Sequence, residues 1–217
     1  MPSSLKSISN VKNTIFALKS ITPLPNPFTS TTITISNASH DYAFQNGNYI
    51  SSSSSEYNTS YPSFLAYNGN ISVATCDSWV SMDNSYDITT GHCITTTKTT
   101  LVDGTLLSGE WLGLKIPTPF ILSAYSLFVR RVDMISINKN TGPTIWSIVA
   151  SNTGTEGSWI QIHNQNVPSS IWHLNSVPIL FNLFPIPVIA YSYYRIVVQT
   201  AGTQYPYLGI KQFNLMI

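Results

Sequence analysis

Apolar residues recur with period two along most of this chain, the signature of half-buried β-strands. The pattern is clearest at 143–162, PTIWSIVASNTGTEGSWIQI, where Trp146, Ile148 and Ala150 alternate with Ser147, Val149 and Ser151. Residues 152–157 supply turn chemistry, and Trp159, Ile160 and Ile162 resume an extended segment. The spacing predicts a β-hairpin with a tryptophan near each outer end, both rings feeding one core. The same alternation puts Leu112, Leu114 and Ile116 on one face of a strand at 109–116, and Tyr125, Leu127 and Val129 on one face of a strand at 120–132. Further strands are predicted around 33–50, with a turn at 45–48, at 190–199, and from 207 to 215. The serine run 51–55 reads as a loop. Residues 71–108 are polar with Trp79 as their anchor, and prolines make 167–187 irregular. No segment sustains a 3.6 period and no repeat is evident, so the class is an all-β sandwich.

Residues 1–31 read differently. Prolines 23, 25 and 27 at alternate positions exclude a helix and predict an extended N-terminal arm, packed on its own domain or on a neighbour in an assembly. The remainder, 32–217, forms one β-sandwich domain. The N-terminal apolar run at 15–18 is shorter than an h-region, so no signal peptide is expected, and no run reaches membrane-span length.

Composition narrows the function. Of 217 residues, 43% are hydrophobic and only 9% charged, against about 25% charged in an ordinary soluble protein. Ser, Thr, Asn, Gln and Tyr must therefore cover the surface, and weak self-repulsion favours close association. A net charge of +1, with Arg130-Arg131 the sole adjacent basic pair, excludes a nucleic-acid partner of the phosphate-neutralising kind. Cys76 and Cys93 are the only cysteines and fit either one disulfide or two thiols. No HExxH, GxSxG, CxxC or P-loop pattern occurs, and no enzyme is expected.

Seven segments in order carry a family resemblance: AYNGN at 66–70, Trp79, GEWLGLKIP at 109–117, AYSLFV at 124–129, the hairpin at 143–162, AYSYYRIVV at 190–198 and LGIKQFNL at 208–215. Together they resemble the discoidin, or coagulation factor 5/8 C-type, galactose-binding-like jelly roll over roughly residues 32–217. The resemblance implies a binding module whose end loops hold glycans, phospholipid head groups or proteins. It also implies a structural calcium site, but Asn68 and Gln212 stand where the family often has aspartate and glutamate. Two neutral amides remove much of the charge calcium needs, leaving Asp77 to compensate, so no cofactor is expected. Arg195 matches a family arginine. In so apolar a strand it should be paired internally, with Glu110 as the expected partner.

The candidate ligand contacts are aromatic and polar residues in the predicted end loops: Asp41, Tyr42, Tyr49, Tyr86, His92, Trp172 and His173. The weak calcium candidates are Asn68, Asp77 and Gln212. Structural roles are expected for Trp79, Trp111, Trp146, Trp159 and Arg195. Two functional readings follow. The first is a minor capsid or particle-surface component, resembling discoidin-like proteins of large DNA viruses, assembled in host cytoplasm and contacting neighbouring subunits. The second is a lectin-like module that recognises glycans at a particle or cell surface.

Overall fold

The structure is a computed structural model and describes residues 28–36, 46–72, 77–130, 141–172 and 177–216. Twelve strands occur among them: β1 Thr32–Ile35, β2 Gly47–Ser53, β3 Trp79–Val80, β4 Lys98–Thr100, β5 Leu106–Ser108, β6 Glu110–Phe120, β7 Ala124–Val129, β8 Pro143–Ser151, β9 Ile160–Asn166, β10 Ile179–Asn182, β11 Tyr191–Ala201 and β12 Gly209–Met216. A six-stranded sheet in the order β1-β2-β6-β11-β8-β9 packs on a four-stranded sheet in the order β10-β7-β12-β3. The β4–β5 ribbon forms a third, two-stranded sheet. Every named pairing is antiparallel. No described helix is long and apolar enough to cross a membrane.

The alternating pattern works as expected at the centre. Leu112, Leu114 and Ile116 of β6, Trp146, Ile148 and Ala150 of β8, and Tyr194, Ile196 and Val198 of β11 face the core with Tyr125, Leu127 and Val129 of β7. The opposite parity lies outside: Trp111, Gly113 and Lys115 of β6 stand beside Val197, Arg195 and Tyr193 of β11. Period two allows no mixing of these sets without a register slip.

Three expectations change. The serine run 51–55 is a loop only at Ser54 and Ser55. Ser51, Ser52 and Ser53 continue β2, paired to Leu114, Gly113 and Leu112, and the buried Ser51 hydroxyl meets Ser63 Oγ at 3.1 Å. Sheet hydrogen bonds override a composition that is neutral toward strands. The proline-rich stretch contains the short strand β10, an edge that pairs with β7. Trp159 does not join Trp146: it sits on the outer face in a second cluster with Leu101, Val149 and Val197.

Of the N-terminal arm, only residues 28–31 are described. Phe28 is buried against Tyr49 and Tyr67, and its N–H donates to the Tyr67 carbonyl at 3.2 Å, so the compact unit reaches back at least to residue 28.

Candidate functional site

The predicted loop aromatics are largely core residues. Tyr49 is buried between Phe28 and the sheets, and burial pushes its phenol up to about 12. Tyr86 is buried and donates from its hydroxyl to the Val198 carbonyl at 2.9 Å. Trp172 stacks near Trp146 at 6.2 Å and donates from Nε1 to the Pro143 carbonyl at 2.8 Å. None of the three presents a ring face to solvent, so none can serve as a platform for a sugar; the polar tips of Tyr86 and Trp172 are used by the backbone. His92 is exposed, with Nδ1 3.2 Å from Thr200 Oγ1. Asp41, Tyr42 and His173 lie outside the described residues, as does Cys76; Cys93 is a free thiol, with Sγ 3.3 Å from Thr95 Oγ1. Sequence reasoning took large aromatics near turns for exposed ones. Only the tertiary fold distinguishes a lid on the core from a platform.

Two of the calcium candidates, Asn68 and Asp77, meet through Asn70. Asn68 Oδ1 accepts the Asn70 N–H at 2.8 Å, closing a local turn, and Asp77 Oδ2 accepts from Asn70 Nδ2 at 2.7 Å. Gln212 is buried in β12 and donates to Asn214 Oδ1 at 2.8 Å. The ammonium of Lys211 donates to the Asp77 carbonyl at 3.1 Å. A cation already fixed on this corner, with Asp77 the sole carboxylate among the candidates, does not fit a divalent metal. Among the described residues no group of three or more His, Cys, Asp or Glu could hold a metal ion.

Convergent chemistry lies elsewhere, on the outer face of the six-stranded sheet. Arg195 opposes Gly113 on one side and Val149 on the other. Its guanidinium carbon lies 3.7 Å from the Trp111 ring centroid and 4.0 Å from that of Trp159, held between two indoles. Gly113 makes this possible, because a Cβ there would lie 3.0 Å from Arg195 Cγ. Nη1 donates to Glu156 Oε1 at 2.8 Å. The expected partner, Glu110, is excluded by parity: it shares the inner face with Leu112. Its buried carboxylate accepts from the hydroxyls of Ser54, Ser55, Thr95 and Thr97. Burial would raise the Glu156 carboxyl, but the Thr100 N–H and the guanidinium overcome it and hold the group below the usual carboxylate range. Burial lowers the Arg195 value, offset in part by Glu156, and the group remains a cation at neutral pH.

Beside this stack is a cleft of about 90 Å³ lined by Ser52, Gly113, Gly154, Trp159, Tyr193 and Arg195, with Leu114 and Tyr194 at its base. Gly154, in a left-handed conformation at φ +74°, lets the β8–β9 turn lie against the Tyr193 ring, and Lys115 Nζ is 5.6 Å from that ring centroid. The Trp159 Nε1–H is buried without an acceptor among the described residues. Trp111, Trp159 and Arg195, expected as structural residues, form this stack, and Trp159 and Arg195 also line the cleft.

Neither a protein-family model nor a curated protein matches the sequence. Solved structures do. The chain is similar to the family 32 carbohydrate-binding module of NanJ from Clostridium perfringens, solved with galactose, at 15% identity and TM-score 0.51, over 77% of this chain and 92% of that one. It is similar to CpGH89CBM32-5 of the same organism, solved with GalNAc-β-1,3-galactose, at 9% identity and TM-score 0.51, over 78% and 95%. A third likeness is to CBM32-3 of a Clostridium perfringens family 31 glycoside hydrolase, at 15% identity and TM-score 0.50, over 76% and 87%. The chain therefore has the discoidin-like, galactose-binding-like β-sandwich fold that its motif order resembles.

Proposed function

We propose that this chain is a non-catalytic carbohydrate-binding module that recognises neutral sugars through the outer-face cleft. The observation that carries the reading is the convergence there of the Tyr193 ring with hydrogen-bonding groups from Arg195 and Ser52. Sugars present apolar C–H faces and hydroxyl edges, and this combination meets both. A cleft of about 90 Å³ gives room for one edge of a sugar ring with the rest lying outside. Glu156 balances Arg195, so the guanidinium offers oriented donors rather than an unpaired charge.

The fold supports this reading, since two of the similar modules were solved with galactose or a galactose-containing disaccharide. A non-catalytic role fits the described glutamates. Glu56 accepts the Ser63 N–H at 2.8 Å, Glu110 is saturated by hydroxyls and Glu156 is held by Arg195, leaving no such pair poised as acid and base. The particle-surface reading rested on residues 1–31, of which the described part, 28–31, packs on its own domain. The described residues favour glycan recognition over that assembly role.

The test is a glycan array probed with the full chain, followed by titration calorimetry of the best neutral glycan against wild type and Tyr193→Ala. Binding that Tyr193→Ala weakens tenfold or more (about 1.4 kcal/mol) is the expected result. An array without binding, with or without calcium, or binding indifferent to Tyr193→Ala, would reject the assignment.

A further inference from the structure

Lys211 is an unusual residue for its place. It lies within β12, between the core residues Ile210 and Phe213, and is only 3% exposed. The pairing of β12 with β7 shifts between Ile210 and Gln212, an irregularity that leaves Lys211 out of the ladder. Such a bulge re-aims a side chain that regular alternation would send to one face. The stem is buried and the ammonium donates to the Asp77 carbonyl at 3.1 Å. Asp77 in turn accepts from Asn70, whose N–H is bound by Asn68 Oδ1. An ammonium taken out of water is costly unless protein oxygens replace its hydration shell. A carbonyl oxygen and an adjacent carboxylate are also the oxygen types a hard metal cation selects.

We propose that the Lys211 ammonium is the permanent cation of the Asn68–Asn70–Asp77 corner, tying that corner to β12 and excluding a divalent metal from it. The two charges would compete for the same oxygens, and the covalently attached one competes at an effective concentration set by the fold rather than by the medium. A neutral amide at Asn68 belongs to the same design, because a single positive charge needs fewer negative partners than a double one. This corner is distinct from the outer-face cleft, and the inference does not depend on sugar binding.

Thermal unfolding of the full chain, in calcium and in chelator, tests it with Lys211→Met, Lys211→Arg and Lys211→Glu. The wild-type midpoint is expected to be the same in both media. Lys211→Met, which keeps the apolar stem, should lose several degrees in chelator and less in calcium, and Lys211→Arg, which keeps a cation, should lose less in chelator and gain nothing from calcium. Lys211→Glu should be rescued in part by calcium, because it replaces the excluding charge with a ligand. Calcium stabilising the wild type, or Lys211→Met matching wild type, overturns the proposal. Lys211→Glu without a calcium response overturns the exclusion it assigns to the ammonium. Should Lys211→Glu not fold, terbium luminescence of wild type and Lys211→Met decides: signal from the variant alone supports the proposal, and signal from wild type or from neither overturns it.

Discussion

Replacing Glu156 by alanine removes one carboxylate with two tasks: it accepts from Arg195 Nη1 at 2.8 Å and from the Thr100 N–H at 2.6 Å. The guanidinium left behind has an 11% exposed side chain between two indoles, whereas the Glu156 side chain is 49% exposed. Breaking a fully buried pair costs roughly 3–5 kcal/mol, and an exposed pair contributes about 0–1 kcal/mol. With one partner buried and the other half in water, the loss should lie between these limits, about 2 kcal/mol, since solvent screens the carboxylate but reaches the guanidinium poorly. For a domain of this size ~1 kcal/mol moves the midpoint by roughly 2–4 °C, so Glu156→Ala should melt about 4–8 °C below wild type. Glu156→Gln keeps the shape and one acceptor oxygen and should lose about half as much. The pair also has a defined pH limb. The Glu156 carboxyl is lowered in the folded state, so its stabilisation is whole above the ordinary value of 4.5 and is lost as pH falls through the lowered folded value. Thermal and urea unfolding followed by near-UV circular dichroism, from acid to neutral pH, reads both effects. Equal melting of Glu156→Ala and wild type at neutral pH, or an unchanged acid limb, would mean that the two indoles alone hold the guanidinium and that the electrostatic reasoning fails.

Gly154→Ala should destabilise more than Gly104→Ala by urea unfolding: both glycines have positive φ, but a Cβ at Gly154 would meet the Tyr193 ring at 2.7 Å, whereas Gly104 has open space. The shared backbone term is of order 1 kcal/mol, and the Tyr193 contact sets the difference. His163 Nδ1 lies 3.1 Å from the Tyr125 hydroxyl, whose oxygen accepts from Trp146 Nε1 at 2.9 Å, and burial lowers the imidazole from its ordinary 6.5. The unfolded chain therefore takes the proton first, and stability should fall as pH drops below 6.5, a component that His163→Asn lacks. Tyr86→Phe should cost about 1 kcal/mol by urea unfolding through loss of the hydroxyl bond to the Val198 carbonyl, with glycan binding unchanged.

Legibility in the sequence followed the range of the interactions involved. Leu112, Leu114 and Ile116, or Trp146, Ile148 and Ala150, can be read because one-sided burial prints period two directly on neighbouring residues. The motif order carried the fold as a whole. Trp159 was misplaced because its face depends on hairpin register: Ala150 pairs with Ile160 after an irregularity at Ile148/Val149, which puts Trp159 with Val149. No local pattern encodes that slip. Arg195 was rightly read as paired, but its partner required knowing that Gly113 lies opposite and that Glu110 shares the inner face. Tyr86 reaches a carbonyl 112 residues away, and that separation hides its role from any window along the chain. The cleft itself needs β2, β6, β11 and the β8–β9 turn assembled at once. Its one sequence-level trace is the glycine pair, Gly113 and Gly154, at positions where side chains would close the space.

The claim that the outer-face cleft holds a neutral sugar is tested most directly at the Trp159 indole. Its Nε1–H is buried without an acceptor among the described residues and lies on a residue that lines the cleft. Two-dimensional ¹⁵N–¹H spectra of the full chain, with indole signals assigned by single Trp→Phe variants, would be followed during titration with galactose and with GalNAc-β-1,3-galactose. The Trp159 indole signal should move downfield and saturate with sugar, together with the Arg195 side-chain signal, while those of the core residues Trp79 and Trp146 stay in place. A stationary Trp159 signal while either sugar binds elsewhere on the chain would contradict the assignment of the cleft.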